Sequence, residues 1–473
     1  MRLHVWIPAA ALFFCVLAVG LLFARPAPES YDAQIMYQVT QSMVDHAGFT
    51  VGHDVFGTNS PYSSFSLGMS LWMAPPYWLA ERLSQGPGPW VMSVNAVVVA
   101  AVALVVFLLG LETGATSRQA LASALLTVFG TLLLPYVATG FSEPAVALAI
   151  ALGLLGVQRR GPALVGGAAG LAMLMRIDSA VLVVPVLVLA AWQAGGRSWA
   201  PALRFGIALL PAMVVTGAYD TLRFGAPWRV GYAGQIFNHP ILAGLYGLLF
   251  SPAAGVFLYV PPLLLALVGM VLAARRMPLL TATAVMLLAI RLPFYATWHD
   301  WSAYWVWGPR HLVPAMPALA IGFLELVRRW PQLKPLVKIG VTALLALGVS
   351  VQVVGAAVAY EHATMFAALK RVHPAVEGTG YVADATLPST QAVHDQVYFD
   401  WSLWPIPDEA RDLVQPRYLA SRWLAPIPNL PAVVALATAA AVSLSVAILA
   451  TDRRRYWRRA RPGPIRLVRA SRR

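Results

Sequence analysis

The sequence predicts an all-α polytopic membrane protein of about twelve transmembrane helices, and three observations predict it. Apolar residues make up 59% of the 473 positions and charged residues only 11%, against about 25% charged in soluble domains. The mean hydropathy is +0.67. The apolar runs are continuous rather than alternating, and many approach the ~20 residues that a ~30 Å hydrocarbon core demands of a helix. Together these exclude a disordered chain, a disulfide-stapled secreted domain, a cytosolic enzyme and a β-barrel. Cys15, the single cysteine, lies in the first apolar run and has no second thiol in the chain for a disulfide.

The spans centre, in order, near Phe14, Ala100, Leu125, Ile150, Ala169, Val186, Ala208, Leu265, Met286, Leu319, Leu345 and Thr438. The first resembles a signal peptide, with Arg2 before an apolar stretch, but the stretch runs about 18 residues and LFARPA lacks an A-x-A site, so it reads as an uncleaved helix. Even parity puts both termini on one side. The positive-inside rule names that side as the cytoplasm of an inner or plasma membrane. Lys and Arg flank the predicted inner ends and fill the tail RRRYWRRARPGPIRLVRASRR, leaving +19 inside and −5 outside, which sum to the formal +14. The tail therefore reads as stop-transfer charge attracted to anionic lipid headgroups, with no nucleic-acid partner. The resulting organisation is a transmembrane module over 1–358, an extracytoplasmic cap over 359–428, a last transmembrane helix over 429–451 and a basic cytoplasmic tail over 452–473. No 20 to 50 residue repeat is visible.

Two outer segments, 25–89 and about 360–428, are too long to be mere connectors, and function concentrates in such segments. In the first, YDAQIMYQVTQSMVDH has helical spacing with Ile35, Val39 and Met43 on one face. SSFSLGMSLWMAPPYWLAERL is apolar but broken by Pro75 and Pro76, and the two stretches read as helices along the membrane surface with Trp72 and Trp78 at the interface. NHPILAGLYGLLFSP, in a third outer segment over 219–255, is another interfacial candidate. DWSLWPIP and RYLASRWLAPIP suggest a small cap resting on the bilayer.

Ionisable groups at membrane depth cost about 2.5–3.5 kcal/mol each on insertion scales and need a reason to be there. Asp32 opens the first surface helix, and Glu143 precedes Pro144 at the outer start of the fourth span. Either could simply be a helix N-terminal acid. Arg176 and Asp178 interrupt an apolar stretch at the bend between the fifth and sixth spans, where a structural ion pair is the plainer role. In WHDWSAYWVWGPRHLVPAMP, His299, Asp300, Arg310 and His311 sit among Trp298, Trp301, Trp305 and Trp307. Trp belts are ordinary at interfaces. Arg310 is harder to dismiss, because it starts the tenth span on the acidic side and its guanidinium suits a phosphate.

Acids plus an Arg at one membrane boundary suit attack by an acceptor hydroxyl on a sugar carried by a lipid phosphate. One carboxylate takes the proton while cationic donors stabilise the departing phosphate, through a transition state of oxocarbenium character. The chain has no Gly-rich phosphate loop, H-E-x-x-H or Cys/His cluster, and the scattered His residues match no metal spacing.

These residues resemble the GT-C superfamily of integral membrane glycosyltransferases, especially the protein O-mannosyltransferase and lipid A aminoarabinose transferase branch. YDAQIMYQ stands where that family's first outer loop opens on an Asp-initiated helix, so Asp32 matches the catalytic acid; Tyr37, in the same stretch, is a structural or substrate-contact candidate with Arg176, Asp178, His299 and Asp300. The acid of SEP, Glu143, matches a second acid before a Pro. NSPYSSFSLGMSLWMAPPYWL takes the place of a segment that in the family often carries Lys-Pro-Pro, which is missing here. MRIDSAVLVVP, LRFGAPWRVGY, GLYGLLFSPAAGVFLYVPP and WGPRHLVPAMP also look like recurring segments of bacterial members. The resemblance implies an extracytoplasmic transfer from a polyprenyl-phosphate sugar to a glycan, glycolipid or protein, usually with inversion. It puts Asp32 and Glu143 in catalysis; position and motif put Arg310, with His311 and Arg229, at the donor phosphate. Arg223, Arg229 and Arg176 compete with Arg310 for that role. The residues name no cofactor, and a divalent metal ion stays open because metal dependence varies between branches. A transporter or lipid flippase is the main alternative, but carriers place charges near the midplane and show repeated halves. A non-catalytic subunit of an envelope-assembly complex is the third.

Overall fold

The computed structural model describes residues 3–52, 61–232, 236–303, 306–358 and 395–412. All of these lie in Met1–Ile427, one compact unit; Pro428–Arg473 forms a second. The expected span at Thr438, the helix over 429–451, the basic tail, Trp305 and most of the 359–428 cap therefore fall outside the described residues.

The remaining eleven expected span centres each fall in a helix. In chain order the helices are α1 (Leu3–Phe23), α2 (Tyr31–His46), α3 (Gly68–Arg82), α4 (Pro87–Met92), α5 (Val94–Glu112), α6 (Ser117–Phe129), α7 (Glu143–Gln158), α8 (Pro162–Met175), α9 (Ser179–Leu182), α10 (Val184–Ala194) and α11 (Trp199–Phe224). Then come α12 (Ile241–Phe250), α13 (Val256–Tyr259), α14 (Leu263–Ala273), α15 (Pro278–Ala289), α16 (Arg291–Thr297), a 3-10 helix at Arg310–Leu319, α17 (Ala320–Arg329), α18 (Pro335–Ala357) and α19 (Pro405–Asp412). The described residues hold no strand beyond an isolated bridge between Thr50 and Tyr62.

Among the described residues, six helical stretches are long and apolar enough to cross a bilayer: Val5–Phe23, Pro87–Glu112, Trp199–Phe224, Pro278–Thr297, Arg310–Gln332 and Pro335–Ala357. The others expected as spans are shorter. The 14-residue α8 reaches only about 21 Å at 1.5 Å per residue. Pro144, Pro162 and Pro185 stand in the first turn of α7, α8 and α10, so proline punctuation caps each helix before it reaches full length. The buried turns between them are tolerable at membrane depth because protein, rather than lipid, surrounds them. The 131–142 turn is such a case: Asn95 of α5 donates from Nδ2 to the carbonyls of Thr139 (2.5 Å) and Phe141 (2.9 Å).

Two details position the segment over 25–89. Ser30 caps α2, its Oγ accepting from the Ala33 amide at 3.3 Å, and the buried face of α2 includes Ile35 and Val39, with Met43 packed beside them. The expected break at Pro75 and Pro76 is absent, since α3 runs through both. Met69, Met73 and Tyr77, spaced by four residues, pack together with Met36 of α2 and Val91 of α4, and that continuous burial outweighs the two ladder bonds the prolines cannot make. Arg223 then fastens the segment between α2 and α3 to α11 by donating to the carbonyls of Ser63 and Phe65.

Backbones touch where helices cross. A Cβ on Gly269 of α14 would overlap the Gly322 carbonyl of α17, and one on Gly322 would overlap that of Ala266. Small residues at such crossings replace a hydrophobic driving force that lipid does not supply. Gly322→Ala is expected to push α14 and α17 apart and destabilise the protein by about 1–3 kcal/mol, read as a lowered unfolding temperature in detergent. An unchanged temperature would show that this crossing is slack.

Candidate active site

The ends of the described helices sort into two sets. At one end Glu112 of α5 pairs with Arg159 beyond α7 (2.7 Å), and Arg328 of α17 donates to the Thr113 carbonyl (2.9 Å). At the other end the start of α7, the end of α8, the start of α2 and the start of the 3-10 helix converge. Here Arg310 donates from Nη2 to Asp32 Oδ2 and from Nε to Glu143 Oε1 (2.5 Å). Arg176 donates from Nη1 to the same Glu143 oxygen (2.6 Å), and from Nε (3.1 Å) and Nη2 (3.0 Å) to Asp178 Oδ2. The order is Asp32, Arg310, Glu143, Arg176, Asp178: five side chains of alternating sign, all singled out in the sequence.

Local structure explains each placement. Ser30 takes the capping role, which releases Asp32 from it. Ser142 makes no cap bond either, and Glu143 points inward with its side chain 0% exposed, while Asp32 keeps 16%. Arg176 is extended (φ −148°, ψ 125°) between α8 and α9, so its side chain turns back toward α7. The Arg310 guanidinium lies 3.7 Å above the Phe141 ring, a cation–π contact strengthened by burial, and Asn95 holds that ring's backbone in place.

Residues the sequence reading passed over complete the site. Tyr295 donates its hydroxyl to Asp178 Oδ2 and stacks on His311, with ring centroids 4.0 Å apart and 3° between planes. Arg291, buried in α16, donates from Nη1 to the His311 carbonyl at 3.3 Å. Arg291 interrupts an apolar run and so carried a signal; Phe141, Tyr232 and Tyr295 carried none. Tyr232, Phe237, Tyr295 and Trp298, with Arg176 and Asp178, line an open cavity of about 250 Å³.

Of the other expected site residues, His311 stays against the site through Tyr295, and the rest make contacts of their own. His311 donates from Nε2 to the Asp300 carbonyl at 3.0 Å; the acceptor fixes that nitrogen as the protonated one. The His299 amide donates to the Ile236 carbonyl at 3.1 Å. Arg229 is exposed and donates to the Phe224 carbonyl at 3.2 Å. Tyr37 packs edge-on against Tyr77 (5.7 Å between centroids), which in turn bonds Asp45; neither Arg229 nor Tyr37 joins the charged chain.

Burial opposes ionisation of Asp178, but Arg176, Arg291 and the Tyr295 hydroxyl outweigh it and hold the carboxyl at about 2. Burial likewise opposes the Arg176 charge, and Asp178 and Glu143 overcome it. Asp300 goes the other way: burial, with Asp32 adding repulsion, pushes it well above the usual carboxylate range despite Arg310. A depressed folded-state value means that Asp178 stabilises the fold above its unfolded value of 3.8 and that this is lost as pH falls toward 2. The contribution is about 2 kcal/mol at 1.36 kcal/mol per unit. Unfolding measured from pH 6 down to 2 should show a drop over pH 4 to 2 that Asp178→Asn flattens; an identical drop in that variant would refute the assignment.

Among the described residues no group of three or more His, Cys, Asp or Glu side chains could hold a metal ion. Asp32 Oδ2, Glu143 Oε1 and Asp178 Oδ2 each face a guanidinium group.

Fold and site together define an all-helical polytopic membrane protein with a buried chain of alternating charges gathered at one end of its helices. No protein-family model matches the sequence, and no curated protein matches it. Among solved structures it is similar to ArnT from Cupriavidus metallidurans in the apo state (14% identity, TM-score 0.47, covering 93% of this chain and 76% of that one). It is similar to the same protein bound to undecaprenyl phosphate (14%, TM-score 0.48, 88% and 79%). A third is the archaeal oligosaccharyltransferase AglB from Archaeoglobus fulgidus in complex with an inhibitory peptide and a dolichol-phosphate (10%, TM-score 0.45, 84% and 60%).

Proposed function

We propose that the protein is a membrane glycosyltransferase that moves a sugar from a polyprenyl-phosphate donor to a hydroxyl of an extracytoplasmic glycan, glycolipid or protein. The observation that carries this reading is the Asp32–Arg310–Glu143 link: a partly exposed carboxylate joined to a cation at the end of the helices that the charge distribution assigns to the outer face. Asp32 is the general base. The acceptor oxygen forms a bond to the anomeric carbon on the face opposite the phosphate, which inverts the centre. The bond from that carbon to the phosphate oxygen breaks, its electron pair leaves with the polyprenyl phosphate, and the hydroxyl proton passes to Asp32.

The pairing gives Arg310 a second task. As Asp32 accepts the proton it loses its charge, and Arg310 is left with one positive charge less well balanced at the moment negative charge builds on the departing phosphate. Proton uptake and leaving-group stabilisation are thereby coupled through one guanidinium. Glu143, fully buried, touches no acceptor and positions Arg310 and Arg176. The test is transfer of labelled sugar from polyprenyl-phosphate donors by the purified protein. Turnover that depends on Asp32 supports the reading; ligand translocation without bond cleavage would replace it with a carrier.

A further inference from the structure

The cavity beside the charged chain has a composition that selects its occupant. We infer that it receives a single uncharged sugar ring, so that the donor's transferred group is a neutral monosaccharide and Val230 and Trp298 are specificity-determining residues. This deepens the glycosyltransferase reading and rests on it.

Three observations carry the inference. At about 250 Å³ the cavity lies below the ~300–1,000 Å³ typical of pockets for drug-sized ligands, which suits one ring. Its walls are chiefly aromatic, from Tyr232, Phe237, Tyr295 and Trp298; ring faces carry negative quadrupole charge and attract the polarised C–H bonds of a sugar.

The charges on the wall are already spent. All three guanidinium nitrogens of Arg176 donate to carboxylates, two to Asp178 and one to Glu143. A sugar carboxylate reaching the remaining N–H groups of Arg176 would meet the two carboxylates that already balance its charge. Asp178 Oδ2 accepts three hydrogen bonds, two from Arg176 and one from Tyr295. A sugar ammonium would thus meet a carboxylate whose charge is already balanced, and burying a further charge among apolar walls is costly. Asp178 Oδ1, which accepts from Ser179 Oγ at 3.5 Å, retains the capacity to accept from a hydroxyl.

The experiment uses the full chain in lipid nanodiscs with citronellyl phosphate linked to mannose, glucosamine or glucuronic acid, and saturation-transfer NMR as the readout. The mannose compound should show saturation of its ring protons and bind at least tenfold more tightly than either charged analogue. Val230→Trp, which fills the cavity from a loop, should weaken the mannose compound at least tenfold while leaving citronellyl phosphate itself unchanged. Equal or tighter binding of a charged sugar would overturn the inference, as would saturation confined to the prenyl protons, which would assign the cavity to lipid. The unmutated protein gives this answer even if Val230→Trp does not fold. Ring binding without transfer to any acceptor supports the inference while sinking the catalytic reading, so the two fail separately.

Discussion

Asp32→Asn is expected to lower sugar transfer by about 10²–10⁴-fold, the usual worth of a positioned general base, while the protein remains folded. The amide keeps an oxygen toward Arg310 and the side-chain volume, so packing around the α2 start is undisturbed. It cannot take the acceptor proton, and it leaves Arg310 with one counter-charge fewer throughout the cycle rather than only at the transition state. Binding of the donor should therefore be preserved or tightened while the chemical step collapses. Single-turnover transfer from a labelled polyprenyl-phosphate sugar separates the two, and full activity in this variant would remove Asp32 from the mechanism. Asp32→Glu, which restores the base on a longer stem, should recover only part of the rate, because a misplacement of about 1 Å can cost as much as 10²-fold.

The second large effect is structural. Glu143→Ala is expected to destabilise the protein by about 3–5 kcal/mol, because removing one member of a buried ionic group leaves uncompensated charge in a low-dielectric interior. The cost falls on two guanidiniums at once: Arg176 and Arg310 share the same Glu143 oxygen, and without it they repel. Glu143→Gln should cost less, since its carbonyl still accepts from both. Unfolding of purified protein in detergent orders the three proteins as native, Gln, Ala. An Ala variant as stable as the native protein would mean that water enters and solvates both arginines.

The helices and the site were legible in the sequence to different depths. Apolar runs located the helices because burial in lipid demands hydrophobicity all round, a signal that needs no neighbour to be read. Helix lengths were less accessible: Pro144 and Pro162 start their helices late, and only the packed turns before them show why that is tolerated. In the site, Asp32, Glu143, Arg176, Asp178 and Arg310 stood out since each is an expensive group at membrane depth. Their mutual pairing did not, because no local pattern relates Asp32 to a residue 278 positions later. Phe141 and Tyr295 were invisible for the opposite reason, being aromatic residues in apolar surroundings whose role depends on the guanidinium or carboxylate beside them. Tyr37 shows the limit of proximity in sequence: five positions after Asp32 on α2, it points to a different face and meets Tyr77 instead.

The same 278-residue separation sets a timetable for biogenesis. At synthesis rates of about 5–20 residues per second, roughly 14–56 s pass between emergence of Asp32 and of its guanidinium partner. Through that interval α2 is made but its acid waits for Arg310, while Glu143 and Arg176 can already pair. The charged chain thus closes only once Arg310 has been made, with α17, α18 and α19 still to follow. Pairing of Asp32 with Arg310 therefore requires that most of the helical unit has already been made.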